Sequence, residues 1–151
     1  MSLQHSYTLI APFYDAAISW ATQAVRKHSL SALPQAPGRV LLAGVGTGLD
    51  LPYLPARHHY VGLDLTHAML RRTVARAGRI DFAPVQGDAQ NLPFAAESFD
   101  VAVLHLILAV VPDPAACLGE IARVLRPGGE ALVFDKFLRH GQPALLRRLA
   151  N

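Results

Sequence analysis

Three glycines at alternate positions close an apolar run early in the chain. The run ends at Ala43, and Gly44, Gly46 and Gly48 follow it. An apolar run bounded by glycine predicts a buried strand followed by a tight turn, and glycine lets a ligand approach the backbone closely. A strand, a glycine-rich turn and a helix together form the ligand crevice of an open α/β sheet. The segment therefore predicts a site for a nucleotide-like cofactor, with an ordinary strand-to-helix loop as the alternative.

Two acidic residues follow at the ends of further short apolar runs. Asp64 ends the run 59–64, about 20 residues after the glycines, where an acidic side chain accepts hydrogen bonds from a ribose diol. Asp88 directly follows the run 82–87. A helix cap is the alternative role for Asp64, and a turn residue is the alternative for Asp88. Three strand ends that each carry a ligand-competent residue favour the cofactor site over chance.

The glycine spacing argues against a dinucleotide. The dinucleotide fingerprint is G-x-G-x-x-G/A, whose last small residue packs the helix against the strand. Here the spacing is G-x-G-x-G, and Leu49 stands at the sixth position. A nicotinamide-dependent dehydrogenase is therefore the weaker interpretation of the site.

Periodicity along the chain predicts alternating strands and helices. We expect strands at 39–43, 60–64, 81–86, 100–106 and 130–134, and helices at 12–32, 66–78, from 114 up to Pro127 and from 143 onward, with a short or broken helix at 51–57. Asp113 is expected to cap the third helix, whose buried stripe would be Leu118, Ile121 and Leu125. The alternation requires right-handed crossovers and a parallel sheet, so the fold class is α/β.

Length and composition place the chain among ordinary globular domains. Its 151 residues suit one domain with its own core, and 52% hydrophobic residues exclude disorder. The longest apolar stretch, 101–111, is too short to span a bilayer, and the N-terminus lacks the pattern of a signal peptide. Cys117 is the single cysteine. We therefore expect a cytoplasmic protein without an internal disulfide.

The net charge of +3 does not indicate a nucleic-acid partner. Arg71, Arg72, Arg76 and Arg79 fall on one predicted helix, where such a cluster is more often a solvated face. Basic residues near the C-terminus flank apolar ones and would suit peripheral contact with an anionic membrane. The histidines show no metal-ligand spacing, so no metal site is expected.

Taken together, these motifs resemble the class I S-adenosylmethionine-dependent methyltransferases, especially the ubiquinone/menaquinone and bacterial phospholipid N-methyltransferase-like group. The matching segments, within about residues 7 to 137, are 11–15, 44–52, 62–70, 87–94, 98–100, 110–114 and 125–129. The resemblance implies a Rossmann-like doubly wound sheet with strands in the order 3-2-1-4-5. It also implies S-adenosyl-L-methionine as the cofactor and S-adenosyl-L-homocysteine as its product.

The resemblance also assigns site residues. Those expected to contact the cofactor are Tyr14, Gly44, Val45, Gly46, Gly48, Asp64, Leu65, Met69, Asp88, Ala89 and His105. The glycines would receive the methionine portion, and Asp64 would accept both ribose hydroxyls. Leu65 and Met69 would pack on the adenine, and Asp88 would accept hydrogen bonds from the adenine amino group. Core packing is the alternative role for Met69 and Tyr14.

His105 is the candidate catalytic residue. It ends strand four, where substrate and cofactor meet in this architecture, and it matches a histidine of the phospholipid methyltransferase motif. A hydrogen-bonded core histidine is the alternative. Ala43 departs from the family, which usually has an acid before the first glycine, and this departure is expected to reduce cofactor affinity.

The expected organisation is a single methyltransferase-like domain over 1–151. It comprises an N-terminal helical segment at 1–38, a cofactor-binding core at 39–137 and a C-terminal helix at 138–151. The family normally continues with an antiparallel hairpin beside strand five, for which the sequence has no residues left. We therefore expect a truncated form, or a homodimer or other partner chain that covers the strand-five edge.

The expected reaction is methyl transfer to a small molecule or lipid, with phosphatidylethanolamine-like amines as the leading acceptors. The absence of an Asn/Asp-Pro-Pro-Tyr/Phe run after strand four disfavours nucleobase methylation. The alternative is a catalytically incomplete cofactor-binding module that acts through a partner chain. Ala43 and the missing hairpin favour that alternative.

Overall fold

A computed structural model describes the backbone of residues 3–135 and the side chains of residues 16–135. Within this range helices and strands alternate along the chain. The elements are α1 (Leu3–Leu30), β1 (Arg39–Ala43), a 3₁₀ turn (Leu51–Tyr53), β2 (His59–Asp64), α2 (His67–Arg76), β3 (Asp81–Gln86), β4 (Phe99–His105), α3 (Pro114–Val124) and β5 (Leu125–Phe134). The helix expected at 138–151 lies outside the described residues.

The strands form one parallel sheet in the order β3-β2-β1-β4-β5. This order confirms the expected Rossmann-like fold. Because parallel strands all end at the same edge of the sheet, the segments that follow β1, β2 and β4 lie side by side. The glycines follow β1, and Asp64 and His105 are the last residues of β2 and β4 at the same edge.

The sheet is covered on both faces, as its apolar strands require. On one face Leu104 of β4 belongs to the same buried cluster as Ile121 of α3. On the other face Leu42 of β1 belongs to the cluster that includes Leu30 of α1 and Leu70 of α2. Successive residues of a strand point to opposite faces, so the sheet lies between two buried cores.

Three expected boundaries or contacts are corrected. Helix α1 begins at Leu3 rather than at residue 12, and α2 ends at Arg76, two residues before Gly78. In α3 the buried side chains are Cys117, Ile121 and Val124, whereas Leu118 is 44% exposed. The expectation was right at Ile121 and wrong at Leu118 and Leu125: Cys117 is buried in place of its neighbour Leu118, and Leu125 belongs to β5 and does not continue the helix.

The start of α3 follows the expected capping chemistry. The side chain of Asp113 accepts a hydrogen bond from the backbone N–H of Ala116 at 3.0 Å, and Pro114 occupies the first helical turn. The strand that follows pairs with β4 from Phe99 onward and shifts its register before Val101. The shift accommodates the segment 126–129, which was expected to end the helix.

Candidate functional site

The glycine loop after β1 has the backbone conformation that only glycine adopts easily. Gly44, Gly46 and Gly48 have φ angles of 66°, 59° and 83°, all in the left-handed region. A Cβ atom at Gly44 would collide with Cδ1 of Ile107, whereas a Cβ atom at Gly46 would meet nothing within 4 Å. Gly44 therefore serves packing, and Gly46 faces open space that a ligand can fill.

Asp64, at the end of β2, holds this loop in place. Its Oδ2 atom accepts a hydrogen bond from the Gly46 N–H at 2.9 Å, and its Oδ1 atom accepts from the N–H and hydroxyl of Thr66 at 3.0 and 3.2 Å. The Thr73 hydroxyl of α2 donates to the Gly46 carbonyl at 2.6 Å. The peptide groups around Gly46 are thus fixed from two sides, by β2 and by α2.

This geometry adds a role for Asp64 that the sequence did not predict. Thr66 is the residue before α2, but its side chain makes no cap hydrogen bond to the helix and donates to Asp64 instead. A carboxylate offers about four acceptor sites, and three donors already occupy Asp64, so about one site remains for a ribose hydroxyl unless a bound ligand replaces one of those donors. Asp64 both shapes the glycine loop and presents acceptor oxygens beside it.

The residues expected around the adenine lie near Asp64 along the chain. Leu65 is 66% exposed and Met69 is half-buried in the first turn of α2. An exposed leucine beside a carboxylate suits a ligand that has one flat apolar part and one diol. These observations fit an adenosine group, and Leu65 and Met69 would pack against its base.

Asp88 and Ala89 follow β3. The Oδ1 atom of Asp88 accepts a hydrogen bond from the backbone N–H of Gln90 at 2.8 Å, which is the turn role that the sequence left open. Gln90 in turn accepts from the N–H of Asp113 at 2.8 Å and so ties this turn to the start of α3. Ala89 is buried. Recognition of an adenine amino group by Asp88 stays a prediction.

Val45 and Tyr14 complete the expected cofactor residues. Val45 is buried, and its N–H donates to the Leu63 carbonyl at 2.9 Å, which joins the glycine loop to β2. Tyr14 lies in α1, but its side chain is outside the described residues. Its contact with a cofactor therefore stays a prediction.

His105 lies in a second, buried polar cluster. Its Nδ1 atom is 2.8 Å from Oδ1 of Asp50, and its Nε2 atom is 2.9 Å from the hydroxyl of Ser29. Nη1 of Arg26 donates to the same Asp50 oxygen at 2.7 Å. The side chains of Arg26, Asp50 and His105 are only 6%, 8% and 1% exposed. The cluster ties α1 to the exit of the glycine loop and to the end of β4.

Charge explains why Asp50 is stable as a carboxylate in this interior position. Burial raises the pKa of Asp50, but the hydrogen bond from His105, the charge of His105 when it is protonated, and the charge and hydrogen bond of Arg26 outweigh burial and leave that pKa below its ordinary value. A buried carboxylate with two such donors is a hydrogen-bond acceptor only. Asp50 therefore accepts from both neighbours and donates to neither.

The segment after β4 forms the wall next to the glycine loop. Leu106 has a φ of 62°, an unusual value for a non-glycine residue. One carboxylate oxygen of Asp135, at the end of β5, accepts from the N–H groups of Leu108 and Ala109 at 2.7 and 3.3 Å. Asp135 thus holds in place the turn whose Ile107 packs on Gly44.

The predicted site residues therefore fall into two groups. The structure joins Gly46 directly to Asp64, but the hydrogen bonds of His105 go to Asp50 and Ser29. Sequence reasoning missed Arg26, Ser29, Asp50 and Asp135. Only Asp50 carried a signal, because it is an acid just after the glycine loop.

Two classes of site receive no support within residues 3–135. No helix in that range is long and apolar enough to cross a membrane. Among the side chains of residues 16–135, no three or more histidine, cysteine or acidic groups lie together in a way that could hold a metal ion.

Comparison with known proteins identifies the family. Residues 41–133 match the family described as "Methyltransferase domain". This chain is a member of that family. The match includes the glycine loop, Asp64, Asp88 and His105 of the site described above.

Curated relatives of this methyltransferase domain include lipid and quinone enzymes. The chain is 36% identical over 134 residues to the phosphatidylethanolamine N-methyltransferase of Cereibacter sphaeroides, an alignment that covers 86% of the chain and 66% of that relative. It is 38% identical over 132 residues to the demethylmenaquinone methyltransferase of Renibacterium salmoninarum, covering 83% of the chain and 55% of the relative. The chain thus spans between half and two thirds of their lengths.

Solved structures agree with the fold of this methyltransferase domain. A Haloferax volcanii methyltransferase in complex with the Trm112 methyltransferase activator has a TM-score of 0.71 and 29% identity, covering 79% of the chain and 54% of the solved one. A Thermotoga maritima S-adenosylmethionine-dependent methyltransferase has a TM-score of 0.66 and 25% identity, covering 84% and 58%. Family membership implies S-adenosylmethionine as the cofactor, and the glycine loop with Asp64 and Leu65 fits its adenosine group.

Proposed function

We propose that this chain transfers a methyl group from S-adenosylmethionine to an amine of a phosphatidylethanolamine-like lipid or of a similar small molecule. The observation that carries the proposal is the arrangement around Gly46, an open position at positive φ held by the carboxylate of Asp64. The similarity to a phosphatidylethanolamine N-methyltransferase supports the choice of acceptor class.

The cofactor, when bound, supplies a methyl group activated by a positively charged sulfur. The glycine loop would receive the amino-acid end, and Asp64 would accept the ribose hydroxyls. Leu65 and Met69 would pack on the base, with Asp88 and Ala89 beside its amino group. Alignment and exclusion of water are the protein's main contributions to such a displacement.

The acceptor side of the proposal involves His105. An amine attacks only when it is neutral, and it must lose a proton when it becomes a methylated neutral amine. A histidine has an ordinary pKa near neutrality and is the side chain that most often takes such a proton. The end of β4 is the expected meeting point of acceptor and cofactor, so His105 would hold the proton released there.

A first experiment tests the cofactor site. We expect S-adenosylhomocysteine to bind the purified chain in calorimetry, and Asp64→Ala to weaken binding by about 1–3 kcal/mol, as expected for a lost hydrogen bond to a buried partner. Asp81→Ala is the matched control, because Asp81 is an exposed acid at the opposite end of the sheet. A folded wild-type chain that does not bind would contradict the proposal.

A second experiment tests the reaction. Wild-type protein and labelled S-adenosylmethionine are incubated with vesicles that contain phosphatidylethanolamine or only phosphatidylcholine. We expect label in the lipid fraction only with phosphatidylethanolamine. Label that appears in neither vesicle, from a protein that binds S-adenosylhomocysteine, would favour the alternative of a binding module that needs a partner chain.

The alternative has one structural observation in its favour. β5 is an outer strand of the described sheet, and Val133 on it is 44% exposed. Exposed strand edges invite pairing with another chain, and one solved relative forms a complex with a methyltransferase activator. We propose a homodimer or partner chain on this edge. Light scattering that shows a monomer, unchanged in mass over a wide concentration range, would contradict the homodimer.

A further inference from the structure

Ser29, His105 and Asp50 form a continuous hydrogen-bonded line. The Ser29 hydroxyl lies 2.9 Å from Nε2 of His105, and the Asp50 carboxylate lies 2.8 Å from its Nδ1. The two outer residues come from different elements, the last turn of α1 and the exit of the glycine loop. Their distances are those of ordinary hydrogen bonds. The line therefore joins three separate parts of the chain at the site edge.

The donors and acceptors in this line fix the proton between Asp50 and His105. Arg26 can only donate, and it already donates to Asp50. Because the Asp50 carboxylate can only accept, Nδ1 of His105 must carry the proton of their shared hydrogen bond. In the neutral imidazole the lone pair is then on Nε2, so the Ser29 hydroxyl is the donor to that nitrogen. A neutral histidine held in this tautomer is a base that faces Ser29.

The surroundings support this assignment. On its Nδ1 side His105 bonds Asp50 from the glycine-loop exit, and Arg26 from α1 donates to the same Asp50 oxygen. β5 contributes the uncharged ring of Phe134, whose centroid is 5.9 Å away in an edge-on arrangement. His105 is almost fully buried, whereas Ser29 is partly exposed. The serine is therefore the end of the line that an acceptor can reach.

We propose that Ser29, His105 and Asp50 act as a proton relay in which the Ser29 hydroxyl meets the acceptor amine. The proposal rests on the proposed methyl transfer. The acceptor nitrogen would take the methyl group as the bond between that methyl and the cofactor sulfur breaks, with neutral S-adenosylhomocysteine as the leaving group. The amine then gives a proton to the Ser29 oxygen, and the Ser29 proton passes to Nε2 of His105. The imidazolium that results keeps its Nδ1 proton and is stabilised by Asp50. Asp50 is a positioning residue here, and the same division of roles holds in serine–histidine–aspartate triads.

The first test reads the histidine tautomer directly and needs no activity. Long-range nitrogen–proton NMR spectra of the full chain are recorded at neutral pH, with the His105 signals assigned by their loss in His105→Gln. We expect the Nδ1–H tautomer in the wild type and a changed signal in Asp50→Asn. Asp81→Asn is the matched control, because Asp81 bonds Nδ1 of the exposed His59 at 2.8 Å; it should alter only His59. An Nε2–H tautomer or an imidazolium in the wild type would overturn the relay.

The second test distinguishes a specific role of the Ser29 hydroxyl from a general effect of mutations near the end of α1. Ser29→Ala is compared with Ser31→Ala, since the Ser31 hydroxyl donates only to the nearby carbonyl of His28 at 2.6 Å. We expect Ser29→Ala to lower the rate of phosphatidylethanolamine methylation by about 10²-fold, the lower end for general base catalysis, with S-adenosylhomocysteine affinity unchanged. Ser31→Ala should retain the wild-type rate.

The histidine tautomer and the methylation rate together distinguish failure of the proton relay from failure of the proposed methyl transfer. Full activity in Ser29→Ala, or the wrong tautomer in an active wild-type enzyme, overturns the relay and leaves methyl transfer standing. A wild-type chain that methylates no amine acceptor overturns the proposed function, and the relay with it, whatever the tautomer.

Discussion

Oδ1 of Asp50 lies 2.8 Å from Nδ1 of His105, and this hydrogen bond links the exit of the glycine loop to the end of β4. Arg26 donates to the same oxygen from α1. Three elements therefore meet at one buried carboxylate oxygen. We expect the stability of this edge of the sheet to depend on Asp50 keeping its partners Arg26 and His105. That dependence can be measured by removing one partner at a time.

Removing Arg26 is expected to destabilise the fold strongly. Arg26→Met leaves the Asp50 carboxylate buried without its positive partner, and breaking such a pair typically costs about 3–5 kcal/mol. The free energy of unfolding in urea measures the loss. Arg126→Met is the matched control, because Arg126 and Asp100 form an exposed pair with side chains 48% and 38% accessible; a loss of about 0–1 kcal/mol is expected there. Similar losses in the two variants would contradict the prediction.

The glycine loop offers a contrast between two of its glycines. Gly46→Ala introduces a methyl group into open space, so only the left-handed backbone is penalised, by about 1–2 kcal/mol. Gly44→Ala adds a collision with Ile107, for which overpacking typically costs about 1–3 kcal/mol more. Urea unfolding should therefore rank Gly44→Ala as the less stable variant, and calorimetry should show weakened S-adenosylhomocysteine binding by folded Gly46→Ala. The reverse ranking would show that the loop packs differently.

Acid should destabilise the chain through His58. This side chain is 2% exposed, and neither ring nitrogen has a hydrogen-bond partner among the described residues. Burial lowers the pKa of His58 and the nearby positive charge of Arg57 lowers it further, and together they outweigh the nearby backbone of Pro34 and Gly38 and the charge of Asp100, which favour the protonated ring. The unfolded chain then binds a proton more readily than the folded chain. The stabilisation is complete above about pH 6.5 and is lost as the pH falls through the lower folded pKa.

Urea unfolding from about pH 8 to about pH 5 measures this effect. We expect the free energy of unfolding to fall over the acidic half of that range, and His58→Phe to reduce the slope. His59→Gln serves as the control, because His59 is exposed and pairs with Asp81. A slope that persists unchanged in His58→Phe would assign the acid sensitivity to other groups.

Replacing Asp135 should affect binding of the methyl acceptor, at the segment after β4, more than binding of the cofactor. Asp135→Ala removes the acceptor for the N–H groups of Leu108 and Ala109, and leaving the part-buried Leu108 N–H without a partner typically costs about 1–3 kcal/mol. We expect a raised KM for the amine acceptor and little change in S-adenosylhomocysteine affinity. Asp113→Ala, which removes the α3 cap, should cost about 0.5–2 kcal/mol without that change in KM. An equal effect on both ligands would contradict a local role.

Much of the fold was predictable because its signals are local. β1 and β3 match their expected bounds, since apolar runs ending in glycine or an acid mark both strand ends. The exposed side of α3 was mispredicted because Leu118 and Cys117 are adjacent and both apolar, so hydrophobicity alone did not set the phase. The phase of α3 depends on the cluster in which Cys117 is buried together with Leu104 of β4. No pattern within the helix sequence indicates that packing.

In the candidate site, too, residues with a local sequence signal were predicted and contacts between distant residues were missed. Asp64 was found from its distance to the glycines, because both belong to one strand–turn–strand pattern. The link from Asp50 to Arg26 and Ser29 was missed because it spans more than 20 residues and depends on how α1 crosses the sheet. Spacing along the chain carries no information on such a crossing.

The strand order has a consequence for how this architecture changes over time. β2 and β3, with the residues predicted to hold adenosine, lie on one side of β1, and β4 and β5, with the wall held by Asp135, lie on the other. Within a lineage, mutations can therefore accumulate on the β4 and β5 side while the β2 and β3 side is preserved. The Asp50–His105 hydrogen bond joins the segment that follows β1 to the β4 and β5 side. Arg26 bonds the same Asp50 oxygen, so these three positions should covary when related sequences diverge.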